Sequence, residues 1–243
     1  MLPAGCVGDD KYSSQLENNA KADGVNVNYM KDPSVPTGTC AVLIVNKERS
    51  LIANLSAANN YKLDHLLTEP IQKLISSANI FYSAGFFLTV SPPSLMYIAE
   101  HSLKHNKIFS GNLSAPFISE FFSEPLISAI PYYDFLFGNE SEAEAFAKNH
   151  AYTDLSTAAI ALKLSEIPMK NKNRSRYVII TQGAKSTIVA YKGKITEYNV
   201  PTVSQDTIID LNGAGDAFVG GFLSVLMKQS YENLNLEEAV QTG

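Results

Sequence analysis

Asp210-Leu211-Asn212-Gly213-Ala214-Gly215-Asp216-Ala217-Phe218-Val219-Gly220-Gly221-Phe222 holds two spaced glycines and an acid in an order suited to phosphoryl chemistry. Thr207-Ile208-Ile209 ahead of it reads as the end of a strand. Behind it, Ala217, Phe218, Phe222, Leu223, Leu226 and Met227 recur at helical spacing. The pattern predicts strand, glycine turn, helix. A helix N-terminus presents unpaired N–H groups and the positive end of a dipole. Gly213 and Gly215, with only Ala214 between them, let a bulky anion approach the bare backbone there. Asp216 would repel that anion, so its chemical use is to accept a proton from the attacking group. The plainer alternative makes Asp216 an N-cap and the glycines turn residues. A Rossmann fingerprint is excluded because Phe218 stands where its third glycine belongs, and no Gly-Lys-Ser/Thr of a Walker A loop occurs.

Other candidates lie just after expected strands, where open α/β sheets bind ligands. Phe137-Gly138-Asn139-Glu140-Ser141-Glu142 sets Asn139 and Glu142 three apart on a first helical turn. That spacing suits holding a water shell around Mg²⁺ beside a triphosphate, and it equally suits a capping box. Ile179-Ile180-Thr181-Gln182-Gly183 ends in a glycine turn, either a ligand border or a simple hairpin, and Asn112 follows another expected strand. Arg49 stands alone on a ribbon whose Leu51, Ala53 and Leu55 alternate, so one ribbon face is apolar and, with Cys40, could wall a flat heterocycle. Phe86 and Phe87 follow Gly85 and, by themselves, read as core.

The elements that must position these residues follow from periodicity. Leu2 to Val7 reads as a strand tail, Tyr12 to Ala22 as a helix, and Val25–Tyr29, Thr39–Val45 and Ser50–Leu55 as short strands turning at Asp32-Pro33 and Asn46-Lys47. From residue 61 the pattern alternates. One amphipathic helix is expected over Leu63 to Ile75, then a strand at Ile80, a helix over Leu95 to Leu103 and a strand at Ile108. Part of Phe117 to Ile130 is helical, Phe135 to Phe137 is a strand, and helices follow over Ala143–Ala147 and Ala158–Leu164. Tyr177–Thr181 is a strand, and Ser186–Tyr191 with Ile195–Val200 forms a hairpin turning at Lys192-Gly193-Lys194. A helix begins at Leu236. Such alternation argues for an α/β fold with a parallel sheet and helices on both faces. His101 with His105, and the basic run Lys170, Lys172, Arg174 and Arg176, read as solvated surface.

Composition bounds the partners. The chain has 243 residues and a net charge of −5, which disfavours broad nucleic-acid binding. Cys6 and Cys40 are its only cysteines, so a disulfide framework is not expected and a reducing cytosol fits. Apolar runs such as Ala41–Val45 are far shorter than the ~20 residues of a membrane span. No basic, then apolar, leader opens the chain, so no signal peptide is expected.

Asn212-Gly213-Ala214-Gly215-Asp216-Ala217-Phe218-Val219-Gly220-Gly221-Phe222-Leu223 resembles the signature of the ribokinase-like (PfkB) sugar and nucleoside kinases. Two further runs, Asn46 to Asn59 and Ser83 to Pro92, are similar to the members that phosphorylate adenosine. The resemblance implies a ribokinase-like three-layer sandwich plus a small β lid, with 1–24 and 60–243 as an incomplete kinase core and 25–59 as part of the lid. It implies ATP and adenosine as substrates, Mg²⁺ as cofactor, and a monomer in the cytoplasm or nucleus. Another sugar or nucleoside, or a nucleotide-binding remnant without activity, are the alternatives. By resemblance Asp216 is the general base, and Asn212, Gly213, Ala214 and Gly215 line an anion hole with Arg49 reaching the phosphates. Asn139 and Glu142 then tune metal and phosphate binding, Thr181 and Gly183 border ATP, and Cys40, Leu51, Ala53, Leu55 and Phe86 meet the purine. Leu211 departs from the family, which usually has Thr there. The resemblance spans Gly5 to Gly243 and implies more chain at both ends, including ribose-gripping motifs and lid strands, without which Ala41–Val45 would be left unpaired.

Overall fold

The structure, a computed structural model, describes residues 5–45 and 48–243, and for Glu48, Arg49 and Gln205 the backbone alone. The chain divides into two compact units, one of 1–78 with Ile209–Leu211 and one of 79–208 with 212–243. In the first, β1 (Cys6–Val7) pairs parallel with β2 (Met30–Lys31), and α1 (Lys11–Ala22) lies between them in sequence. Asp10 caps α1, accepting from Tyr12 N and Ser13 N, and reaches across to Thr37 N at 2.7 Å and Thr37 Oγ1 at 2.8 Å. Thr37 Oγ1 in turn accepts from Gly8 N. These donors, those of Thr37 foremost, hold the Asp10 carboxyl down at about 2.

β3 (Thr39–Val45) and β4 (Glu48–Asn54) form an antiparallel ribbon of their own. Its full-length pairing corrects the expectation that Ala41–Val45 would lack a partner, because the ladder Ala41↔Ile52 to Val45↔Glu48 satisfies one edge. The strand expected at Val25–Tyr29 is irregular instead, and only Met30–Lys31 finds a ladder, beside Gly5–Val7. Residues 2–4 of the first expected strand and the turn at Asn46-Lys47 lie outside the described residues. The single helix expected over Leu63–Ile75 is two, α2 (Leu63–Leu66) and α3 (Glu69–Ser77). Pro70 explains the break: it has no N–H to continue the ladder and its ring clashes with the preceding turn, so it fits only at a helix start.

The second unit carries a six-stranded sheet in the order β10-β9-β8-β7-β6-β5. β5 (Ile80–Ser83), β6 (Ile108–Asn112), β7 (Phe135–Asn139) and β8 (Tyr177–Gln182) run parallel. β9 (Lys185–Tyr191) and β10 (Lys194–Tyr198) add an antiparallel edge. Alternation along the strands makes two apolar faces. One bears Phe109, Leu136, Val178 and Ile180 under α4 (Pro92–Lys104), α5 (Pro116–Phe121), α6 (Ser123–Ala129), α7 (Glu140–Asn149) and α8 (Thr157–Glu166). The other bears Ile108, Phe135, Phe137 and Ile179 under α9 (Ala214–Lys228) and α10 (Leu236–Thr242). This is the expected helix–sheet–helix sandwich, and the small antiparallel ribbon is a separate two-stranded sheet. Thr207-Ile208-Ile209 does not end a strand: Gln205–Thr207 is a 3-10 turn and Ile209 is 82% exposed.

The basic run before β8 is also not what its composition suggests. Arg176 is 0% exposed and donates to the carbonyls of Tyr133, Leu164, Ile167 and Ile130. Arg174 pairs with buried Asp134 at 3.1 Å and donates to the carbonyls of Asn106 and Lys107. Only Lys170 and Lys172 of the run are solvated. A guanidinium fork can serve several carbonyls that would otherwise be buried without donors, and that is why arginine is tolerated in the interior here. Among the described residues no helix is long and apolar enough to cross a membrane.

Two outcomes are expected from these networks. Arg176→Lys keeps the charge but cannot span four carbonyls, so urea unfolding should show a loss of about 2–4 kcal/mol; a loss under 1 kcal/mol would contradict the buried fork. In the first unit, the stability Asp10 contributes is present above the unfolded carboxyl value and is lost as pH falls through about 2. An NMR titration of the Asp10 carboxyl should therefore have its midpoint near 2 and move upward in Thr37→Val.

Candidate active site

In the second unit the parallel strands β5 to β8 all deliver their carboxyl ends to one edge of the sheet. Along that edge stand Tyr82, Asn112, Asn139 and Thr181, with Asn139 opposite Thr181 in register. Thr181 Oγ1 reaches the carbonyl of Gly138. β8 turns at once into β9 through Gly183-Ala184, with Gln182 opposite Lys185, so this glycine turn is a tight hairpin that carries Thr181 at its base. Gly183 has φ +60 and open space around it.

Asn139 caps α7 and forms the full reciprocal box. Its N–H donates to Glu142 Oε2 at 3.0 Å, its Nδ2 to Oε1 at 2.8 Å, and its Oδ1 accepts from Glu142 N at 2.9 Å. Gly138 makes room for this, since a Cβ there would lie 2.9 Å from Leu113 Cδ1 and 3.4 Å from Glu142 Oε2. Glu142 is 6% exposed. The capping alternative is thus real as geometry, and it rigidifies the same two groups that the chemistry would need. Among the described residues no group of three or more His, Cys, Asp or Glu could hold a metal directly. The oxygen donors Asn139 and Glu142 fit a hard divalent ion that keeps its waters, and do not make an all-protein cage.

α9 is the other half. Gly213 is its N-cap with φ +75 and no side-chain cap bond, and the first intrahelical bond runs from Ala217 N to Gly213 O at 2.8 Å. Ala214, Gly215 and Asp216 therefore hold N–H groups that have no intrahelical acceptor. Asp216 is the third helical residue and is exposed, so the alternative that made it the cap does not hold. The left-handed turn at Gly213 does the capping position's work through its backbone and leaves both the N–H groups and the carboxylate for a ligand. α9 is held by Phe222, whose ring meets Phe137 edge-on at 5.2 Å and Phe135 at 5.6 Å.

Phe86 lies on the 3-10 turn Gly85–Thr89 after β5, 50% exposed, its ring 6.0 Å from Phe117. Gly85 ties this turn to β6, donating to Ser114 Oγ at 2.8 Å in a space where a Cβ would meet the Asn112 carbonyl at 2.5 Å. In the first unit, register sets Cys40 opposite Ala53 and Val42 opposite Leu51, so these share one ribbon face, and Leu55 follows it exposed. Arg49 stands opposite Ile44 at the end of that face; its side chain is not among those described. Tyr82 and Phe117 escaped the reading of the sequence. Tyr82 was hidden inside an apolar strand, although its place one residue from the strand's end was a signal.

The chain belongs to the pfkB family carbohydrate kinases, whose profile matches residues 3–243. Within that family it is similar to adenosine kinase 2 of Arabidopsis thaliana, 48% identical over 239 residues that make up 98% of this chain and 68% of that protein. Adenosine kinase of Schizosaccharomyces pombe is 48% identical over 226 residues, 92% of this chain and 66% of that one. Among solved structures, Anopheles gambiae adenosine kinase in complex with P1,P4-di(adenosine-5) tetraphosphate matches with a TM-score of 0.95 at 39% identity, over 99% of this chain and 70% of that one. Ribokinase from Thermotoga maritima shares the fold, with a TM-score of 0.73 at 23% identity over 99% of this chain and 71% of that one.

Gly215 offers a clean check of the anion site. A Cβ there meets nothing within 4 Å, and the residue is helical, so Gly215→Ala should leave the melting temperature unchanged or raise it. The methyl group would stand where an anion approaches the bare N–H groups, and affinity for a nucleoside triphosphate should fall at least ~10-fold. Unchanged nucleotide affinity would move the anion site elsewhere.

Proposed function

We propose that this chain transfers the γ-phosphoryl group of ATP to the 5′-hydroxyl of adenosine, giving AMP and ADP. The observation that carries the reading is the start of α9, where open N–H groups and an uncapping Asp216 stand together in a chain 48% identical to an adenosine kinase. The Asp216 carboxylate takes the proton of the 5′-hydroxyl. The freed oxygen forms a bond to the γ-phosphorus, and the bond from that phosphorus to the β,γ-bridging oxygen breaks, its electrons leaving with ADP. Backbone N–H groups from Gly213 to Asp216 take up the charge on the moving phosphoryl oxygens. Asp216 stands at the positive end of a helix, so it accepts the proton late, as the nucleophile commits.

Asn139 and Glu142 would hold a hydrated Mg²⁺, which would supply positive charge to offset that of the triphosphate. Thr181, Gly183 and Asn212 border the nucleotide, and Arg49 adds fixed positive charge at the phosphates. Phe86 stacks on the purine with its half-exposed ring. Cys40, Leu51, Ala53 and Leu55 contribute an apolar lid face. The lid runs from residue 25 to 59, the rest being kinase core. Leu211 offers no hydroxyl where the family usually has Thr, so the loop's backbone carries the anion. The protein acts as a monomer in the cytoplasm, with small-molecule partners alone.

An assay that couples ADP release to adenosine, with ribose and other nucleosides alongside, tests the substrate. ADP release that ignores adenosine would refute the reading. Asp216→Asn should bind ATP and melt as the parent does, while turnover falls by roughly 10²–10⁴. Turnover within a few-fold of the parent would remove Asp216 from the role of base.

A further inference from the structure

Tyr82 has no part in the chemistry above, yet the second unit holds its hydroxyl in a defined way. Asn112, at the end of β6, accepts from Ser114 N on its Oδ1 at 2.9 Å. The same amide hydrogen-bonds Tyr82, and since that bond favours the charged phenolate it is the amide nitrogen that donates to the phenolic oxygen. Tyr82 is then an acceptor toward Asn112, and its own proton is directed to a different acceptor.

The location of that acceptor follows from the sheet. Tyr82 pairs with Ser110 in register and shares the α9 side with Ile80 and Ile108. It is 37% exposed at the carboxyl end of β5, the edge on which Asn112, Asn139 and Thr181 also stand. Burial, and after it the charges of Asp216 and Glu142, push the phenol up from its ordinary value against the opposing Asn112 bond, so it stays protonated. A phenol that feels the charge of two carboxylates would be poor company for an anion by itself, but the open N–H groups of α9 draw an anion to the same edge.

We propose that Tyr82 donates a hydrogen bond to a non-bridging oxygen of the γ-phosphoryl group, and that Asn112 is the positioning residue that aims it. The inference rests on the reading of ATP as phosphoryl donor. It separates γ-phosphate recognition from recognition of the rest of the nucleotide, and that separation is measurable.

The test is calorimetric binding of ADP and of the non-hydrolysable triphosphate AMPPNP, with Mg²⁺ present, to the parent chain, Tyr82→Phe, Asn112→Ala and the double variant. Tyr82→Phe should weaken AMPPNP roughly 10–100-fold, the range for a hydrogen bond to a charged group, and leave ADP within about 2-fold. Asn112→Ala should show the same selective loss, smaller, and the double variant should be no worse than Tyr82→Phe. Adenosine KM should stay put while kcat falls. AMPPNP affinity unchanged in Tyr82→Phe, or ADP and AMPPNP weakened alike, would overturn the proposal, as would strictly additive losses in the double variant. Should the parent chain itself fail to bind AMPPNP, the reading of ATP as donor would fall and take this proposal with it.

Discussion

The packing of α9 against β7 is the contact on which the site depends. Phe222 meets Phe135 and Phe137 edge-on, and Val219, Val225 and Leu226 fill the same face. β7 then runs straight to Asn139 at the carboxyl edge. One strand thus supports the helix that carries Asp216 and ends in the residue that fixes Glu142. Aromatic edge-to-face contacts have a narrow range of good geometry, which holds a helix in place along its axis as well as against the sheet. An anion site made of backbone N–H groups needs that axial precision, because shifting the helix shifts every donor together.

The two helix starts at this edge are built on opposite principles. α7 is capped on both sides, with Asn139 and Glu142 exchanging three hydrogen bonds, so its first turn is satisfied before any ligand arrives. α9 has a glycine for a cap and no side-chain bond, so its first turn is unsatisfied. A glycine cap costs only about a few tenths of a kcal/mol relative to a Ser or Asp cap, and an anion that binds there offsets that cost. The satisfied end suits a residue pair that must stay rigid around a hydrated cation. The unsatisfied end suits a group that arrives, reacts and leaves.

At the opposite edge of the sheet, positive charge serves the fold. Arg176 closes four carbonyls from the α6–β7 and α8–β8 connections, and Arg174 neutralises Asp134 below β7. Burial lowers Arg176 to about 10, a value at which the guanidinium keeps its charge at neutral pH. The two edges differ: Arg176 and Arg174 serve backbone carbonyls at one, while at the other α9 starts without a side-chain cap.

Much of this was legible in the sequence. Alternating strands and helices from residue 61 onward gave the layered sheet, because burial on both faces writes apolar periodicity into each segment. The glycine run around Asp216 disclosed a helix start, because few residue types permit the left-handed cap found at Gly213. The period-2 pattern set Leu51 and Ala53 on one ribbon face, as the register does, while Leu55 lies past the end of β4. What the sequence did not decide were matters of partnership. Thr207-Ile208-Ile209 has strand composition but joins no ladder, and Pro70 divides a helix whose apolar period runs on unbroken. Arg176 looks like surface until the carbonyls of two separate connections converge on it, and Tyr82 looks like core until Asn112 is brought within hydrogen-bonding reach. Periodicity records which side of an element is dry; which polar groups meet there is fixed only when separate elements are packed, since hydrogen bonds need partners within about 3 Å and the chain order carries no such distance.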